Sequence, residues 1–117
     1  NPTLLIIDDC LDEFNPSYKE RVINYLKKIS SECTILFLTS RSDNIMCADK
    51  IIVVNDGETK FEGDLSQIIK DEKLLINNGI ALPQVVDLSN KLKSYELINE
   101  PVFDIDKMVN EIWQERE

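Results

Sequence analysis

The feature that most constrains this chain is residues 3–9, Thr3-Leu4-Leu5-Ile6-Ile7-Asp8-Asp9. A continuous run of branched aliphatics suits a strand buried on both faces, as in the middle of a parallel sheet. The run ends on two carboxylates. Open α/β sheets hold their ligands outside the carboxyl ends of their strands. A carboxylate pair at that place is suited to hold Mg²⁺ and to manage a water. The same residues read equally well as a core strand whose two acids cap the next turn.

The chain has 117 residues, a one-domain length with room for a modest core. Apolar residues make up 43% and charged residues 30%, as in ordinary soluble globular proteins. The net charge of −9, from 13 basic and 22 acidic residues, argues against a general nucleic-acid or anionic-membrane binder, since both need a basic surface. Histidine is absent, which removes a histidine general base, a Ser-His-Asp triad and most zinc sites. Cys10, Cys33 and Cys47 are odd in number and lack Cys-x-x-Cys spacing, so reduced cytosolic thiols are expected. No apolar run approaches the roughly 20 residues that span a bilayer. Asn1 stands where an initiator Met is expected, so the chain reads as a fragment or a processed piece.

After the acids, residues 10–16 are rich in turn formers. Asn15-Pro16-Ser17 reads as a helix start. Tyr18, Val22, Leu26 and Ile29 keep helical spacing, with Tyr25 beside them, so an amphipathic helix follows. Residues 34–39 form a second apolar strand. Two strands joined by a helix make a parallel pair with a right-handed crossover. Residues 40–47 read as a short helix or loop, and residues 50–55 as a third strand. Asp56-Gly57 is a strong hairpin signal, with residues 58–62 pairing back. Asp64 with Gln67 matches a capping box. From there the texture becomes helical. Leu74-Leu75-Ile76 stops at Asn77-Asn78-Gly79, Pro83 opens another helix, residues 93–101 form a loop, and Asp104 caps a last helix. Met108 and Trp113 are expected in the core. The boundary of texture divides residues 1–63 from a helical region, residues 64–117.

This order of motifs resembles the C-terminal half of an ABC-transporter ATPase. Residues 3–9 look like that family's Walker B strand. Residues 12–16, Asp-Glu-Phe-Asn-Pro, lie where its D-loop lies, and Leu38-Thr39-Ser40 where its switch loop lies. Residues 48–64 reproduce its pattern of Ala-Asp-basic, apolar strand, Gly turn, second strand and Gly before a helix. The tail, from Gly79 through Pro83 to Leu92, is similar to that of the energy-coupling-factor ATPases, the cobalt and vitamin importers.

The resemblance implies an α/β fold: a partial parallel sheet with a β-hairpin and a helical tail, a fragment of a P-loop NTPase. It implies Mg²⁺ and ATP as cofactors of the full-length protein and none for the fragment. It implies metal binding by Asp8, a water-polarising role for Asp9, γ-phosphate contact by Ser40 and a nucleotide-interface role for Asn15. The partners implied are a second ATPase subunit and a membrane-embedded transporter subunit, with no nucleic acid. The implied location is cytoplasmic, peripheral to the inner face of the cell membrane. The phosphate-cradling Gly-x-x-x-x-Gly-Lys-[Ser/Thr] loop and the Leu-Ser-Gly-Gly-Gln signature are absent from these residues. Asp9 stands where the family has a catalytic Glu, Asn15 where it has Asp, and Ser40 where it has His. The expectation is a degenerate catalytic site in the parent and an inactive fragment.

Two other classes stay open. A phosphorylation-receiver domain also ends its first strand on paired acids, and Asp56 would then be the phosphoacceptor. A non-catalytic interaction module would use the helical tail as its docking surface.

Overall fold

The computed structural model describes residues 2–114. The backbone packs as two units, Asn1–Ser40 and Arg41–Glu117.

The first unit is a β-α-β element. Strand β1 (Leu4–Asp8) leads through a 3-10 turn (Cys10–Glu13) into helix α1 (Pro16–Ile29) and strand β2 (Thr34–Leu38). The strands pair in parallel, from Leu4 opposite Thr34 to Asp8 opposite Leu38, as the crossover predicts. Helix α1 begins where the sequence places it. The Asn15 side chain accepts the Tyr18 amide at 2.9 Å, and Pro16 occupies the first turn, where its missing N–H costs nothing. Lys27 and Lys28 in the last turn complement the helix dipole.

The sheet departs from expectation in its coverage. Burial alternates along both strands. Leu5, Ile7, Ile35 and Phe37 are half-buried, whereas Leu4, Ile6, Leu36 and Leu38 are 42–56% exposed. The apolar run had implied cover on both faces. A two-stranded sheet with one crossover helix has cover for one face only, so the other stays bare among the described residues.

Among the described residues, the second unit carries a 3-10 helix (Ser42–Cys47), a hairpin and four α-helices. Strands β3 (Ile51–Asn55) and β4 (Glu58–Gly63) pair antiparallel around Asp56 and Gly57. Both turn residues have positive φ, 52° and 74°, the primed-turn geometry that the Asp-Gly pair favours. A register shift falls between Val53 and Val54: Val53 faces Phe61 and Val54 faces Thr59, which leaves Lys60 over as a bulge. Ile51 and Val53 turn inward and share a core with Ile68 of α2 (Leu65–Ile68) and Leu75 of α3 (Glu72–Asn77). The change of texture at residues 63–64 therefore lies inside this unit, because hairpin and helices bury their apolar sides against each other.

The capping box forms as read: Asp64 accepts the Gln67 amide and Gln67 accepts the Asp64 amide, both at 2.9 Å. Asp71 caps α3, which ends at Asn77 and is followed, after Asn78, by Gly79 with φ 73°. Helix α4 (Gln84–Ser94) runs two residues into the expected loop. Its Ser89, fully buried, accepts the Val102 amide at 2.7 Å. Helix α5 (Ile105–Gln114) starts at Asp104, whose carboxylate accepts the Lys107 amide. Met108 is buried as expected. Trp113 is not: it is 64% exposed, in one stripe with Ile105 and Val109. These three are spaced by four residues and share a helix face, and Met108 points to another. Among the described residues, no helix is long and apolar enough to cross a membrane.

Candidate active site

The site is built at the carboxyl end of β1. Asp8 is the last residue of the strand, and its side chain is exposed. By alternation it lies on the same face as Leu4 and Ile6. Its carboxylate makes no hydrogen bond among the described residues. Asp9 leaves the strand in the left-handed region, with φ 45° and ψ 15°. That backbone is unusual for a residue with a Cβ, and the short polar side chain of Asp tolerates it better than most.

The turn at Asp9 brings the two strand ends together. The Asp9 amide donates to the Leu38 carbonyl at 2.9 Å. One carboxylate oxygen accepts from the Thr39 hydroxyl at 3.3 Å and from the Ser40 amide at 3.4 Å. The other accepts from the Ser40 hydroxyl at 3.1 Å. Parallel register explains this: Asp8 lies opposite Leu38, so the residue after β1 meets the two that follow β2. The structure thus joins Asp9 and Ser40. Thr39 joins them, a residue to which the switch-loop resemblance assigns no role of its own; its signal in the sequence is the hydroxyl pair Thr39-Ser40 directly after the strand that partners β1.

Asn15 lies apart from this cluster in its bonding. Its side-chain oxygen accepts the Tyr18 amide and, at 3.0 Å, the Ser17 hydroxyl, so it is spent on starting α1. Asp12 pairs with Lys19 at 2.6 Å in a half-buried contact that ties the 3-10 turn to α1. Cys10 is exposed, and all three cysteines are free thiols. A shallow groove of about 220 Å³ on α1, lined by Tyr18, Arg21, Val22 and Tyr25, includes none of the acids.

No group of three or more His, Cys, Asp or Glu side chains converges among the described residues. The described residues by themselves therefore form no metal cage of three such side chains. Mg²⁺ asks for less: one or two carboxylates, with waters and substrate phosphates completing its shell. An exposed, unengaged Asp8 fits that demand. Asp56 sits at the turn of an antiparallel hairpin, not at the end of a parallel strand, so the receiver-like reading lacks its acceptor geometry.

A chain with this β-α-β element, acid pair and hairpin is similar to the ATP-binding subunits of ABC transporters, and most like those of energy-coupling-factor systems. The energy-coupling factor transporter ATP-binding protein EcfA1 of Caldanaerobacter subterraneus is 26% identical over 92% of this chain and 40% of its own length. The EcfA1 protein of Lactiplantibacillus plantarum is 31% identical over 79% of this chain and 34% of its own. The alpha-factor-transporting ATPase of Candida albicans is 33% identical over 62% of this chain, but over only 5% of its own length. The chain spans about two-fifths of the length of the first of these. No family model matches it.

Proposed function

We propose that this chain is part of the ATP-binding and ATP-hydrolysing subunit of an energy-coupling-factor-like importer, with a weakened catalytic site. The observation that carries the reading is the acid pair at the end of a parallel strand, its second acid bonded to the residue in the switch-loop position. The similarity to ATP-binding proteins of energy-coupling-factor transporters supports it.

In this reading Asp8 would hold Mg²⁺, which shields the charge of the transferred phosphate when bound. Asp9 stands where water would be polarised, one methylene shorter than Glu. Ser40 offers the γ-phosphate a neutral hydroxyl, where a charged donor would make a bond about twice as strong. The subunit would pair with a second ATPase subunit and a membrane-embedded component, peripheral to the cytoplasmic face. Turnover would fall mainly to the partner's site. By itself the chain would not hold ATP tightly, for it lacks the amide-lined loop and Lys that cradle phosphates.

Calorimetric titration of Mg-ATP tests this. The longer protein carrying these residues should bind, its Asp8→Asn variant should bind more weakly, and the 117-residue chain should not bind measurably. Micromolar binding by the chain itself would sink the reading.

A further inference from the structure

We propose that the exposed side of α1 is a docking groove for an acidic peptide segment of a partner protein. That segment would offer a carboxylate to Arg21 and a large apolar side chain to the tyrosines beside it. The proposal goes beyond the ATPase reading and does not depend on it.

The groove belongs to one helix of the first unit. Tyr18, Arg21, Val22 and Tyr25 recur at intervals of three and four residues, so they share one face of α1. Val22 is half-buried and lies deeper, while the other three are exposed. The Phe14 ring, just ahead of the helix, meets that of Tyr18 with centroids 5.2 Å apart and planes tilted by 58°. A tilted aromatic pair is favourable, and it steadies Tyr18 without covering it. Phe14, Tyr18 and Tyr25 thus stand open to solvent on one short stretch. Aromatic side chains grouped in this way mark interaction sites.

Charge selects the occupant. Helix α1 carries Lys19, Arg21, Lys27 and Lys28 against one acid, Glu20, in a chain of net charge −9. Lys19 is spent on Asp12 at 2.6 Å. Lys27 and Lys28 sit in the last turn, beside the helix's own negative end. Arg21 is the cation inside the groove, and it makes no ion pair or hydrogen bond among the described residues. Its guanidinium fork matches a carboxylate through two parallel bonds. A single guanidinium flanked by tyrosines suits a phosphorylated peptide or an anionic lipid surface less well, since clusters of basic residues read those. The groove's volume of about 220 Å³ falls below the roughly 300–1,000 Å³ of pockets for drug-sized ligands. It has room for side chains of a peptide laid across the helix.

Selection of phage-displayed random peptides on the immobilised 117-residue chain tests this. Enriched sequences should place Asp or Glu within a helical turn of Phe, Leu or Trp. The best of them, made as a synthetic peptide, should shift the amide signals of residues 18–25 in an NMR titration. Arg21→Glu should weaken that peptide about tenfold or more, the loss of a charge-assisted pair. Arg21→Lys keeps the charge without the fork and should fall between the two. Lys28→Ala, on the same helix but outside the groove, should change affinity by about twofold or less. Arg21 is exposed, so its variants should keep the unfolding midpoint of the unaltered chain. Selection of no peptide or of basic ones, amide shifts confined to other residues, or undiminished binding by Arg21→Glu would overturn the proposal. So would Arg21-dependent binding of phosphatidylserine vesicles or of a single-stranded oligonucleotide that is tighter than binding of the peptide.

Discussion

Asp43 caps a helix that it does not belong to. Its carboxylate accepts the Gln84 amide at 2.8 Å, although 41 residues separate them. Pro83 precedes α4 and offers no side-chain cap, so the free amide at that helix start finds its acceptor elsewhere in the unit. The carboxylate also meets the positive end of the helix dipole. Asp43→Ala should cost about 1 kcal/mol of the unit's stability in urea unfolding, and Asp43→Asn about half of that, because Asn keeps the acceptor and loses the charge. Equal losses in the two variants would rule out a capping role.

Leu75 is 1% exposed at the centre of the second unit's core. Leu75→Ala should destabilise that unit by about 2–5 kcal/mol, the range for large-to-small core changes. Ile52→Thr, at a half-open strand position, should change stability by about 0.5 kcal/mol or less. Comparable unfolding midpoints for the two variants would mean that the core is misplaced.

The capping box gives a pH dependence with a definite sign. Hydrogen bonds from the Ser66 hydroxyl, then from the Gln67 amide, hold the Asp64 carboxyl below its ordinary value. A depressed acid contributes stability that is present above its unfolded value, about 3.9, and lost as pH falls through its lower folded value. Helix α2 should therefore loosen in acid below about pH 4. Asp64→Asn, which still caps, should remove that acid-dependent step, visible in the exchange of the Gln67 amide. Gly63→Ala should disturb the same box at every pH. A Cβ there would fall on the Gln67 side-chain oxygen and 2.7 Å from the Phe61 ring. The expected loss is about 1 kcal/mol.

The proposed weakness of the site can be reversed. In the assembled transporter, Asp9→Glu with Ser40→His should raise turnover at this site, by up to about 100-fold if a 1 Å misplacement of the acid is the main defect. Radiolabelled phosphate release, with the partner subunit's site disabled, reads it. No increase would mean that the cause lies outside these two positions.

Much of this was legible beforehand. The β-α-β unit, the Asp56-Gly57 hairpin, both box residues and the helix starts at Asn15 and Asp104 follow from local chemistry, which is written in neighbouring residues. Two things were not. The bare face of β1 and β2 reads as apolar from the sequence, and apolar residues do not say whether anything lies over them. Trp113 has the hydrophobic spacing of a core residue, yet α5 turns Met108 inward and leaves it outside. At the site, the acid pair was evident, but not that its members part company. That depends on a left-handed turn at Asp9, which Asp permits without demanding.

The two-residue turn of the hairpin also sets an order of events. Joining β3 to β4 closes a loop of Asp56 and Gly57 alone, whereas pairing β1 with β2 must bring Leu4 to Thr34 across a whole helix. Closure entropy grows with the length enclosed, and hairpins form in about 1–10 μs, so the antiparallel pair has the head start. In a refolding experiment with pulsed hydrogen labelling, amides of β4 should gain protection before those of β2. The younger sheet would then be the parallel one, and with it the hydrogen bonds from Ser40 to Asp9 would be among the last contacts to close.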